Sequence, residues 1–65
     1  MENKEIREKI SIWMGELFDN NVTRPKVEEH IQVLTARIAN AKLKKQEITE
    51  ELFKQLCESI ENELR

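Results

Sequence analysis

The sequence predicts an all-α protein, a three-helix up-down-up bundle in a single domain that spans residues 1–65. Composition is the first indication, since 37% of the residues are charged and 38% hydrophobic, with one Gly, one Pro and no Tyr. The second is that apolar residues recur at alternating intervals of three and four along the chain. The third is that polar turns and capping residues divide this pattern, so we expect helices at about residues 3–19, 24–45 and 49–64.

The first predicted helix has one apolar face. Ile12 projects away from this face, because successive residues turn by about 100° around a helix axis. The helix is expected to end at Asn20 and Asn21, since Asn tolerates the left-handed backbone conformation that Gly usually adopts at such a position. The apolar face consists of Ile6, Ile10, Trp13, Met14, Leu17 and Phe18.

The second predicted helix is the longest, and the other two are expected to pack against it. Thr23 marks its start as an N-cap, and Pro25 fits the first turn, where its missing N–H is no loss. Its main apolar stripe consists of Val27, Ile31, Leu34, Ile38 and Ala41. A second, sparser apolar set lies roughly opposite this stripe and consists of Val33, Ala36 and Leu43.

The boundary between the second and third helices is ambiguous in the sequence. Thr49 follows Ile48 and precedes Phe53 by four residues, which is the pattern of a capped helix start with a hydrophobic staple. Ile48 and Leu52 also continue the phase of the preceding stripe, so the alternative is a helical hairpin with a long continuous second helix. We favour a turn at about residues 45–48, because the apolar residues after Leu52 form a broad face of their own. These residues are Phe53, Leu56, Cys57, Ile60 and Leu64.

The chemically active residues are isolated from one another, which predicts that the protein is not an enzyme. His30 stands beside the main stripe of the second helix and is expected at the edge of the core. Cys57 lies on an apolar face, where a free cysteine usually behaves as a small buried hydrophobe. One His and one Cys fall short of the usual ligand set of a structural zinc site, so we expect no metal and no cofactor.

The chain shows no sequence signal for export or for membrane insertion. No apolar run long enough for a signal peptide follows a basic start, and no stretch of the sequence is apolar enough to cross a bilayer. The single cysteine cannot form an internal disulfide, which fits a reducing compartment. We therefore expect a cytoplasmic protein that does not bind membranes.

The apolar residues outside the predicted core favour a protein-interaction module. A short domain has few hydrophobic residues to leave in water, so several exposed ones together indicate a binding surface. We expect a small regulator, inhibitor or assembly subunit that binds a protein partner of unknown identity. A symmetric homodimer through the outer face of the second helix is a further expectation. The expected partner-binding residues are Ile12, Val33, Ala36 and Leu43.

The alternative function is a small nucleic-acid-binding protein that uses the basic end of the second helix. The residues that would contact phosphates are Arg37, Lys42, Lys44 and Lys45. A formal net charge of −2 argues against this function, because duplex binding depends on a surplus of Lys and Arg. No aromatic residue alternates with the basic ones to stack on bases, and lysines at a helix C-terminus commonly serve the helix dipole instead.

Overall fold

The computed structural model describes residues 1–64 and contains three α-helices: α1 (Asn3–Asp19), α2 (Arg24–Leu43) and α3 (Glu50–Glu63). Because α2 packs against both α1 and α3, the helices form the predicted three-helix bundle. Two side-chain contacts fit the up-down-up arrangement. Lys42, at the end of α2, donates from Nζ to Oδ1 of Asn3 at 2.5 Å, and Nζ of Lys9 in α1 lies 3.3 Å from Oε1 of Glu50 in α3.

One hydrophobic core lies between the three helices. Its most deeply buried side chains are those of Leu17, Val27, Leu34 and Ile60, none of which is more than 1% exposed. The remaining buried apolar residues come from all three helices and from the turn before α3, so no helix covers its apolar face alone. They are Ile6, Trp13, Ile38, Ala41, Ile48, Phe53 and Cys57.

A turn separates α2 from α3, which excludes the alternative of one continuous helix. The end of α2 is a Schellman motif: the N–H of Gln46 donates to the carbonyl oxygen of Ala41 at 2.9 Å, and the N–H of Lys45 donates to that of Lys42 at 3.0 Å. Lys45 adopts a left-handed conformation with φ of 57°. The helix therefore ends at Leu43, slightly before the predicted boundary.

The structure places the N-caps of α2 and α3 at Thr23 and Thr49, the two residues that the sequence predicts. Thr49 caps α3, and its Oγ1 accepts the N–H of Leu52 at 3.1 Å. Ile48 and Phe53 on either side of this cap are both buried, as a hydrophobic staple requires. Thr23 is the N-cap of α2 by backbone conformation, but its side chain makes no capping hydrogen bond.

Replacing Lys45 with Gly is expected to stabilise the protein by about 1 kcal/mol, because a left-handed conformation is costly for a residue with a Cβ and not for Gly. The free energy of unfolding in urea measures the effect. Lys44→Gly is the matched control, since Lys44 has a φ of −82° and gains nothing from Gly. Equal stabilities of the two variants would show that Lys45 carries no strain.

Candidate functional site

A groove with a volume of about 420 Å³ runs between α1 and α3. Both helices pack mainly against α2, which leaves this side of the bundle open. The floor of the groove is apolar and is formed by Trp13, Phe53 and Cys57, which are 4%, 7% and 6% exposed. Ile12 stands at the edge of this floor and is 64% exposed. We call this surface the α1–α3 groove.

Helical spacing explains why these side chains meet. Residues three or four positions apart share one side of a helix, so the residues that line the groove recur at these intervals in both helices. The lining from α1 consists of Lys9, Ile12, Trp13 and Glu16, and the lining from α3 consists of Glu50, Phe53, Lys54, Cys57, Glu58 and Glu61.

The two ends of the groove differ in charge. At one end, Lys9 and Glu50 form an ion pair at 3.3 Å across the helices. At the other end, Glu16, Glu58 and Glu61 have no ion-pair partner among residues 1–64. This second end is therefore an unneutralised acidic cluster beside the apolar floor.

The thiol of Cys57 lies within the electrostatic influence of this acidic cluster. Burial, together with the negative charges of Glu61, Glu16 and Glu58, raises the pKa of Cys57 to about 12. The neutral thiol is therefore the form present at neutral pH, and this form is a poor nucleophile. Cys57 serves the groove as an apolar surface.

His30 is buried at 4% exposure, which corrects the prediction that it lies at the edge of the core. Its Nδ1 lies 2.6 Å from the carbonyl oxygen of Lys26, and since a carbonyl only accepts, Nδ1 is the donor. The ring packs edge-on against Trp13, with centroids 5.9 Å apart. Nε1 of Trp13 is itself buried without a hydrogen-bond partner among the described residues. His30 thus supports the side chain that forms the floor of the groove.

The structure separates the residues predicted to bind a partner. Ile12 lies on the α1–α3 groove, whereas Ala36 and Leu43 are exposed on α2, with Leu43 at 82%. Val33 is half-buried and packs against the core, contrary to the expectation that it stays uncovered. The buried face of α2 is broader than its main stripe. The exposed apolar surface on its outer side is therefore smaller than the sequence predicts.

The predicted basic cluster lies on α2 and in the turn after it, and two of its side chains form hydrogen bonds with neighbouring helices. Nη2 of Arg37 donates to Oε1 of Glu63 in α3 at 2.7 Å, and this hydrogen bond raises the pKa of Arg37 and lowers that of Glu63. Lys42 instead donates to Asn3 in α1. Lys44 and Lys45 are exposed in the turn after α2. Two of the four basic side chains are therefore engaged by residues of α1 and α3, while Arg37 and Lys44 border one depression between α2 and α3.

A second apolar depression, of about 620 Å³, lies between α1 and α2. It is lined by Phe18, which the sequence placed on the apolar face of α1 but which is 46% exposed. The charged residues beside it, Arg24 and Glu28, pair with each other at 3.5 Å. This depression consequently lacks the unneutralised charge that distinguishes the α1–α3 groove.

Comparison of the chain with protein-family models, with curated proteins and with solved structures finds no match. Residues 1–64 contain no group of three or more His, Cys, Asp or Glu side chains placed to hold a metal ion. None of the helices in this part of the chain combines the length and the apolar character that a membrane span requires. The geometry of the α1–α3 groove is therefore the main guide to function.

Proposed function

We propose that the protein is a small interaction module that binds a helical segment of a partner protein in the α1–α3 groove. The observation that carries the proposal is the exposed side chain of Ile12 beside the apolar floor of Trp13 and Phe53. Full burial of such a side chain is worth about 1.5–3 kcal/mol, so a partner that covers Ile12 gains binding energy. Two parallel ridges with an apolar floor suit the helix-in-groove mode of recognition.

A binding role is favoured over a catalytic one by the state of the two most reactive side chains. Cys57 is held as a neutral thiol, and His30 is packed inside the core against Trp13. His30 borders a different depression from the one that Cys57 lines, so the two do not share a site. We therefore propose that the module acts as a regulator, inhibitor or assembly subunit, and that it does so in the cytoplasm.

The test is a selection of helical peptides from a displayed library against the wild-type protein, followed by affinity measurements with Ile12→Gln. Ile12 is exposed, so this change should alter folding stability by less than about 0.5 kcal/mol. We expect the selected peptides to bind Ile12→Gln about tenfold more weakly, since the apolar contact is lost. Leu43→Gln, an equally apolar-to-polar change at the 82% exposed position of α2, is the matched control. Unchanged binding to Ile12→Gln would contradict the proposal.

Self-association through the outer face of α2 stays a separate prediction. The exposed side chains of Leu43 and Ala36 support it, while the partial burial of Val33 reduces the surface available. Sedimentation velocity at micromolar concentration decides the matter, and Leu43→Glu should shift any dimer toward monomer. A monomeric wild-type protein would contradict the prediction of self-association.

Nucleic-acid binding is the less supported function, because Arg37 and Lys42 are already engaged with Glu63 and Asn3. Binding of DNA or RNA that weakens steeply with salt would make it the leading candidate. Loss of that binding on substituting Lys42, Lys44 and Lys45 with Glu would locate the contact.

A further inference from the structure

We propose that the segment bound in the α1–α3 groove is a basic amphipathic helix of a partner protein. Its apolar side would cover Ile12 and Trp13, and its Lys or Arg side chains would lie beside Glu16, Glu58 and Glu61. This inference rests on the proposed function and adds the charge and the length of the partner segment.

The charge of the groove is the first support. Of the two lysines that line it, Lys9 is neutralised by Glu50 at 3.3 Å. Lys54 is the remaining cation of the lining, against three carboxylates that have no ion-pair partner within residues 1–64. A cationic helix would neutralise these carboxylates, whereas an anionic helix would place like charges next to them.

The position of the acidic cluster is the second support. Glu16 belongs to α1, while Glu58 and Glu61 belong to α3, so the carboxylates stand on both walls of the groove. All three act electrostatically on Cys57 in the floor, which places them around the same end of the groove. A cation at the end of an apolar helix face would therefore meet acidic groups from both sides.

The dimensions of the groove determine the length of the occupant. The part of α3 that lines it runs from Glu50 to Glu61, which at a rise of about 1.5 Å per residue spans about 17 Å. An occupying helix of about three turns matches this length. Such a segment offers apolar anchors at positions i, i+3, i+4 and i+7, with basic residues at its flanks.

The test uses three synthetic amphipathic peptides of about four turns that share one apolar face and lack Trp. Their flanking residues are Lys in one peptide, Gln in the second and Glu in the third. Trp13 is the single tryptophan of the chain and lies in the floor, so its fluorescence reports binding. We expect the Lys peptide to bind about tenfold more tightly than the Gln peptide and the Glu peptide to bind most weakly. The advantage of the Lys peptide should diminish as salt is raised.

The decisive variant carries Glu16→Gln, Glu58→Gln and Glu61→Gln together. The Lys peptide should lose most of its advantage over the Gln peptide with this variant, which circular dichroism should show to be folded. The matched control replaces three exposed glutamates outside the groove, Glu5, Glu8 and Glu47, with Gln, and these also have no ion-pair partner among residues 1–64. This control variant should retain the preference for the Lys peptide. If the triple groove variant does not fold, the single variants Glu16→Gln, Glu58→Gln and Glu61→Gln replace it, and each should reduce the preference for the Lys peptide.

The outcomes separate this inference from the proposed function. Equal binding of the Lys and Glu peptides, with both weakened by Ile12→Gln, would overturn the charge preference while leaving the groove as a docking site. Failure of all three peptides to bind would overturn the inference, and the display selection would then decide the proposed function alone. Self-association that is abolished by Ile12→Gln would make a second copy of the chain the occupant and would also overturn it.

Discussion

Replacing Leu34 with Ala is expected to lower the free energy of unfolding by about 2–5 kcal/mol. Leu34 is 0% exposed in the middle of α2, the helix that packs against both others, so its truncation leaves a cavity in the centre of the core. Small domains have total stabilities toward the lower end of about 5–15 kcal/mol, so this single change would unfold a measurable fraction of the molecules. Urea denaturation followed by Trp13 fluorescence measures the loss.

Leu43→Ala is the control for this prediction, because it removes the same atoms from the same helix at a position that is 82% exposed. Its effect should stay within about 0.5 kcal/mol. Similar losses for Leu34→Ala and Leu43→Ala would mean that α2 does not use the side of Leu34 as its buried face.

The thiol of Cys57 is expected to react with iodoacetamide at least about tenfold more slowly in the folded protein than in urea. Burial and the neighbouring carboxylates raise its pKa from the ordinary value of 9.0 to about 12, and each pKa unit reduces the thiolate population tenfold near neutral pH. Mass spectrometry after timed alkylation at pH 8 measures both rates. Comparable rates in the folded and unfolded protein would show that the thiolate forms readily in the groove.

The same pKa difference predicts how stability depends on pH. Above pH 9 the unfolded chain loses the Cys57 proton, whereas the folded protein retains it until about pH 12. Rising pH therefore favours the unfolded state across this window, by about 1.4 kcal/mol per pH unit for one group. Lysines also titrate there, so the test compares the wild-type protein with Cys57→Ala. The wild-type protein should lose stability more steeply above pH 9 than this variant.

Local sequence signals were sufficient to predict most of the fold. Thr49 and its flanking residues Ile48 and Phe53 predicted the start of α3, and the structure confirms the cap and the burial of both flanking side chains. The end of α2 was harder to predict, because its Schellman motif places Lys45 where Gly is usual. A lysine in the left-handed conformation cannot be recognised from the sequence, because Gly and Asn are the residues that usually signal this conformation.

The candidate site was predictable only in part. The position of Ile12 outside the apolar face of α1 follows from helical periodicity alone. The approach of Glu16 to Glu58 and Glu61 depends on how α1 and α3 are rotated about their axes and placed side by side. Periodicity within one helix contains no information about that placement. The partial burial of Val33 likewise depends on how widely the rest of the bundle covers α2.

The central position of α2 also affects how the chain folds. Each outer helix packs mainly against the helix that precedes or follows it in the sequence, so the core forms largely from contacts between consecutive segments. Short loops have a small closure entropy, and chains with such local topology fold within about microseconds to milliseconds.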